Sequence, residues 1–80
     1  MILVTKKDCQ KCDWIKQKID LHNINGIEIV DGESIDGMSI LAYNELLEGK
    51  SFPFLIIDDD TRMDGTNVIG MWKHIQEVLL

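Results

Sequence analysis

Residues 52–57, Phe-Pro-Phe-Leu-Ile-Ile, constrain the fold more than any other stretch of this 80-residue chain. The run is apolar almost throughout, and the polar residues Asp58, Asp59, Asp60 and Thr61 follow it directly. A strand with no polar side has to be covered on both faces, so it belongs at the centre of a sheet with helices on either side. Pro53 cannot donate to a sheet ladder, which places it at the head of the strand. One central strand thus commits so short a chain to a layered α/β arrangement.

The flanking patterns supply the other elements. Residues 1–4 are a short apolar run that predicts a buried strand. Over 10–22 the pattern turns helical, with Cys12, Ile15, Ile19 and His22 along one stripe. Asn23-Ile24-Asn25-Gly26 stops that helix, the glycine suiting a left-handed position past its end. Residues 27–30 predict a second strand, and 31–37, with two glycines and three acids, read as a loop. A second helix is expected over 38–48, with Ile40, Tyr43, Leu46 and Leu47 on its buried face, and 49–51 end it. After a polar turn at 58–61, residues 62–64 predict a short edge strand. Thr66 or Asn67 then caps a last helix whose Val68, Met71, Trp72, Ile75, Val78 and Leu79 follow helical spacing. The order β-α-β-α-β-β-α over a single domain, 1–80, joins a parallel βαβ unit to a hairpin and a terminal helix. It predicts a small four-stranded mixed sheet with helices on both faces.

Fourteen acidic against eight basic residues leave a net charge of −6, which argues against nucleic acid as a partner. No apolar run approaches the ~20 residues that span a bilayer, and 1–4 is too short for a signal-peptide core. A monomer in the cytoplasm, with no membrane partner, is the expectation.

Cys9 and Cys12 are the only cysteines and stand three positions apart. A bridge between them closes so small a loop that it restricts the unfolded chain very little, so reactivity or metal binding has to be weighed instead. The first cysteine falls at a helix start, where unpaired backbone N–H groups and the positive end of the helix dipole favour thiolate. Cys12 follows one turn further in. Lys6, Lys7 and Lys11 outnumber Asp8 and Asp13 here, so the thiols sit in the one basic spot of an acidic chain. Asp8 opposes thiolate formation and limits the effect to a moderate one.

With this motif after the first strand, an X-Pro heading the third, a hairpin and a glycine before the last helix, nearly the whole chain resembles the thioredoxin fold. Within that fold it is similar to the glutaredoxin family. The resemblance implies a thiol–disulfide oxidoreductase in which Cys9 attacks and Cys12 resolves. It implies a cis peptide at Phe52-Pro53, opposite the cysteines, with the Phe52 backbone offered to an extended substrate. Lys6 matches a lysine found at that place in many glutaredoxins. Gln10 and Lys11 stand in place of the family's Pro-Tyr, and Asp64-Gly65 in place of its Gly-Gly. Asn67 replaces an aspartate for the amino group of glutathione, and Val68 a second one. The substrate-contacting set is therefore Lys6, Gln10, Lys11, Phe52, Pro53 and Asn67, with weak glutathione affinity expected. Such chemistry needs no bound cofactor. Its electrons would come from glutathione, another small thiol, or a flavoprotein such as thioredoxin reductase, and its partners are disulfide-containing proteins or low-molecular-weight thiols.

The competing reading is a binding module or metal carrier. Zinc wants four ligands, and His22 and His74 lie too far apart in sequence, on different helices, to complete a closed site. A metal or iron–sulfur cluster shared between two chains would need only these two thiolates from each. For the other candidates plainer roles are expected: His22 a cation at a helix end, His74 facing water, Trp72 core, and Lys50 solvated. Trp14 lies on the cysteine helix and could line a substrate surface. Asp58-Asp59-Asp60 is a solvated turn, because Arg62 stands where a calcium loop needs an acid.

Overall fold

The computed structural model describes residues 1–44, 51–58 and 60–80. Its elements are β1 (Ile2–Thr5), α1 (Gln10–Leu21), β2 (Glu28–Asp31), α2 (Ile35–Tyr43), β3 (Phe54–Ile56), β4 (Arg62–Met63), a 3₁₀ turn (Gly65–Asn67) and α3 (Val68–Leu79). The four strands form one mixed sheet in the order β2-β1-β3-β4. β1 runs parallel to β2 in the register Leu3 with Ile29, and antiparallel to β3 with Leu3 opposite Leu55. β3 continues antiparallel into β4, Leu55 facing Met63.

Alternation along the two central strands builds a core on each face. Leu3 and Leu55 point to one side, where Ile15 and Ile19 of α1 and Met71, Trp72 and Ile75 of α3 cover them. Val4, Phe54 and Ile56 point to the other, under Leu41 of α2. Phe54, Leu55 and Ile56 are all buried, as a strand without a polar side requires. Pro53 precedes the ladder, buried, at the head of β3.

The second helix departs from the sequence reading. It begins at Ile35, inside the segment read as a loop, because Ser34 caps it: the Ser34 hydroxyl accepts the Gly37 N–H at 3.0 Å. Gly37 presses against the preceding turn so closely that a Cβ there would collide with the Asp31 carbonyl oxygen. That contact sets the helix's rotation. Gly37, Leu41 and Asn44 face inward, whereas Tyr43 is 77% exposed and Ile40 only half-buried. The expected continuation to 48, with Leu46 and Leu47, lies outside the described residues, as do Lys50 and Asp59. Asn44 ties the helix to the sheet edge: its side chain donates to the Ile40 carbonyl (2.8 Å) and accepts from the Arg62 Nε (2.8 Å).

At the end of α1 the left-handed residue is Asn23 (φ 50°), and Gly26 (φ 90°) instead turns the chain into β2. His22 caps α1 from an exposed position rather than extending the buried stripe, with its ring 5.2 Å from that of Trp72. His74 is half-buried, not water-facing, and its Nε2 has no hydrogen-bond partner among the described residues. Among the described residues no helix is long and apolar enough to cross a membrane.

Candidate functional site

β1 ends at Thr5, and four residues, Lys6, Lys7, Asp8 and Cys9, carry the chain to the start of α1. Asp8 makes the turn at φ 54°, a left-handed conformation that aspartate tolerates better than most side chains. Cys9 follows in extended conformation as the N-cap of α1, and its Sγ accepts the Cys12 N–H at 3.1 Å. A cysteine thus occupies the place where serine or aspartate ordinarily caps a helix. Its sulfur receives a backbone N–H at the positive end of the helix, as a negative charge would want.

Cys9 and Cys12 are joined in a disulfide, with their Cα atoms 5.2 Å apart. The two sulfurs differ in access: Cys9 keeps 9% of its surface exposed and Cys12 none. An external reactant therefore meets Cys9 first.

Opposite the disulfide lies the segment that leads into β3. The Phe52-Pro53 peptide bond is cis, as the resemblance implied. The Phe52 carbonyl oxygen lies 3.9 Å from the Cys9 Sγ. In the reduced protein that spacing suits a weak thiol hydrogen bond. The Phe52 ring is half-buried, edge-on to Phe54 at 4.8 Å, with the Lys6 ammonium 5.2 Å from its centroid. Lys6 therefore stands over Phe52.

A third strand of the site comes from the turn before α3. The Gly65 N–H donates to the Ser51 carbonyl at 2.6 Å, and a Cβ on Gly65 would collide with the Phe52 and Ser51 carbonyl oxygens. The Lys11 ammonium donates to the Gly65 carbonyl at 2.9 Å, across 54 residues of sequence. One lysine between the two cysteines thus straps the cysteine helix to the turn that supports Phe52. Asp64 accepts both the side chain and the backbone N–H of Thr66. Those bonds, with help from the nearby Lys11 charge, hold its carboxyl below the usual range against a small opposing effect of burial.

The structure brings Cys9, Cys12, Lys6, Lys11, Phe52 and Pro53 together. Gln10 is exposed at the first position of α1. Asn67 caps α3, its carboxamide oxygen accepting the Gly70 N–H at 3.0 Å. Trp14 packs beside the α1–α3 core beneath the Lys18 ammonium, 5.5 Å from its ring. The sequence reading missed the Gly65 carbonyl as the anchor for Lys11. No local signal marks a contact between a motif side chain and a backbone oxygen so distant in sequence.

Among the described residues no group of three or more histidine, cysteine, aspartate or glutamate side chains is gathered as a metal site. No protein-family model, curated protein or solved structure matches the chain.

Proposed function

We propose that this protein is a thiol–disulfide oxidoreductase, built on a thioredoxin-like fold and working in the manner of glutaredoxins. The observation that carries the reading is the Cys9–Cys12 disulfide at the start of α1, with Cys9 alone reachable from solvent and facing the Phe52 carbonyl.

In the reduced protein the Cys9 thiolate attacks one sulfur of a substrate disulfide. The substrate S–S bond breaks, its other sulfur leaves as thiolate and takes a proton from water, and a Cys9–substrate mixed disulfide forms. The Cys12 thiolate then attacks the Cys9 Sγ. The second substrate sulfur leaves and is protonated, and the Cys9–Cys12 disulfide closes. Two electrons and two protons have passed to the substrate, and an external thiol or reductase must return them.

Each neighbour has a part in this. The Cys12 N–H and the α1 N-terminus stabilise charge on Cys9. The complete burial of Cys12 keeps it from external disulfides while leaving it within reach of Cys9. Lys6 adds positive charge at the entrance, and Lys11 holds the Phe52 side of the site against α1.

Glutathione is a poor candidate for the electron source. The Asn67 side chain is engaged as a helix cap, and it lacks the charge that would hold the amino end of glutathione. A flavoprotein reductase such as thioredoxin reductase, acting in the cytoplasm, fits better. No resident cofactor is required.

Insulin reduction tests the reading, driven either by glutathione with its reductase or by thioredoxin reductase. Turnover that vanishes in Cys9→Ser, and is faster with thioredoxin reductase, is the expected result. A protein that reduces no disulfide with dithiothreitol as donor, and that purifies with metal held between two chains, would favour the carrier reading.

A further inference from the structure

Among the described residues β2 is an edge strand, paired with β1 alone. The ladder is anchored where the Glu28 N–H donates to the Met1 carbonyl (2.9 Å) and the Gly32 N–H to the Thr5 carbonyl (2.6 Å). Bonding direction alternates along a strand, so Glu28, Val30 and Gly32 face β1 while Ile29 and Asp31 turn their backbone groups outward. The Asp31 carbonyl is already taken by the Ser34 N–H (3.1 Å) and hydroxyl (2.6 Å). The N–H and C=O of Ile29 and the N–H of Asp31 have no hydrogen-bond partner among the described residues. Ile29 therefore presents the donor and acceptor that one residue exchanges with its opposite number in an antiparallel pair.

There is also room for side chains. On the α2 face, an open cleft of about 560 Å³ runs along β2, bordered by Ile29, Val30 and Ile40. On the α1 face, one of about 500 Å³ is bordered by Ile19, Ile24 and again Ile29. Ile29 is 44% exposed. Side chains of an added strand would alternate between these two clefts.

Charge selects the occupant. Residues 19–49 contain seven acids and no lysine or arginine. Glu28, Asp31 and Asp36 border the α2-side cleft, and Asp20, beside Lys16, borders the other. A second copy pairing edge to edge would set these acids against their own kind, which destabilises a sheet pair. We infer that the β2 edge takes up an extended, lysine- or arginine-bearing segment of a partner protein as an antiparallel fifth strand. Its cations meet Glu28 and Asp36 on the α2 side, and its apolar side chains enter the cleft of Ile19, Ile24 and Ile29 on the α1 side. Neither cysteine borders this edge, so the inference stands apart from the redox reading.

The probes are two capped pentapeptides, Lys-Val-Lys-Val-Lys and Glu-Val-Glu-Val-Glu, titrated at low salt into the ¹⁵N-labelled full chain. The lysine peptide is expected to shift the Ile29 and Asp31 amides saturably, to slow their hydrogen exchange, and to bind about tenfold or more tighter than the glutamate peptide. Glu28→Lys/Asp36→Lys should reverse that preference. Ile29→Pro removes an outward N–H without touching the ladder to β1, and should abolish binding of both peptides. Should that proline variant fail to fold, the reversal variant decides. Short, acid-flanked edges also serve simply to repel other strands. Equal or absent binding of the two peptides would overturn the inference in favour of that role. Shifts confined to the lysines of α1, or concentration-dependent Ile29 shifts without any peptide, would overturn it too.

Discussion

Gly65→Ala is expected to be among the most damaging single-methyl changes in the chain. A Cβ on this buried residue would collide with the Phe52 carbonyl oxygen and lie 2.7 Å from the Ser51 carbonyl oxygen. Both obstacles are backbone, and neither can rotate aside. Relief requires the turn before α3 to move off the 51–52 segment, at an overpacking cost of about 1–3 kcal/mol. The same movement stretches the 2.6 Å bond from the Gly65 N–H to Ser51, for about 1 kcal/mol more. The sum, about 2–4 kcal/mol, is a large part of the roughly 4–12 kcal/mol available to a domain of this size. It corresponds to a fall in Tm of roughly 10–30 °C. Gly70→Ala is the matched control. There the atoms nearest the new methyl belong to the Asn67 side chain, which can rotate, and about 1 kcal/mol of helix propensity offsets damage to the cap. Thermal and urea unfolding of the two variants, oxidised and reduced, measures the difference. Equal stability of the two, to within about 0.5 kcal/mol, would refute the close approach of the turn to Phe52.

Lys11→Met keeps the aliphatic stem but loses the bond to the Gly65 carbonyl; it should cost about 1 kcal/mol and raise the carboxyl pKa of Asp64, followed by NMR titration. A Lys11→Met protein as stable as the parent would show that the strap does not form. Asn67→Ala should cost about 1 kcal/mol through the lost cap while leaving the rate of disulfide reduction intact. A slower reaction at unchanged stability would return Asn67 to substrate contact. Asp58 and Asp64 are both held below their ordinary value of 3.8, the first mainly by the Asp60 N–H and the second mainly by the Thr66 hydroxyl. Because the folded values are the lower ones, these carboxylates favour the fold above the unfolded value and lose that contribution as pH falls through the folded values. Tm measured from about pH 6 down to pH 2 should therefore fall less steeply in Asp64→Asn, and identical slopes would contradict the assignment.

The central layer of the fold was legible because its signals are local and one-sided. Phe54-Leu55-Ile56 can only be a covered strand, and Met71, Trp72 and Ile75 repeat at the spacing that buries one side of a helix. The cysteine pair was legible for the same reason, its two members lying within four consecutive residues after a strand. The second helix was not. Its rotation is set by Gly37 against the Asp31 backbone, a packing contact that hydropathy does not register, so Leu41 rather than Tyr43 faces inward. Ser34 is hard to recognise as a cap because Gly32 and Gly37 give the segment the composition of a loop. Asn67 and Lys11 show a further limit. Each was expected to face a ligand, yet each is occupied by the protein's own backbone, Asn67 by Gly70 and Lys11 by Gly65. A sequence supplies donors and acceptors without saying which of them the fold itself consumes.

The most direct test of the dithiol mechanism is intact-protein and peptide mass spectrometry of reduced Cys12→Ser after exposure to a model disulfide such as hydroxyethyl disulfide. With the resolving thiol gone, one stable mixed disulfide per chain is expected on Cys9, with rapid release of that adduct when Cys12 is present. A Cys12→Ser protein that forms no adduct, or a parent protein whose adduct persists without closing the Cys9–Cys12 disulfide, would contradict it.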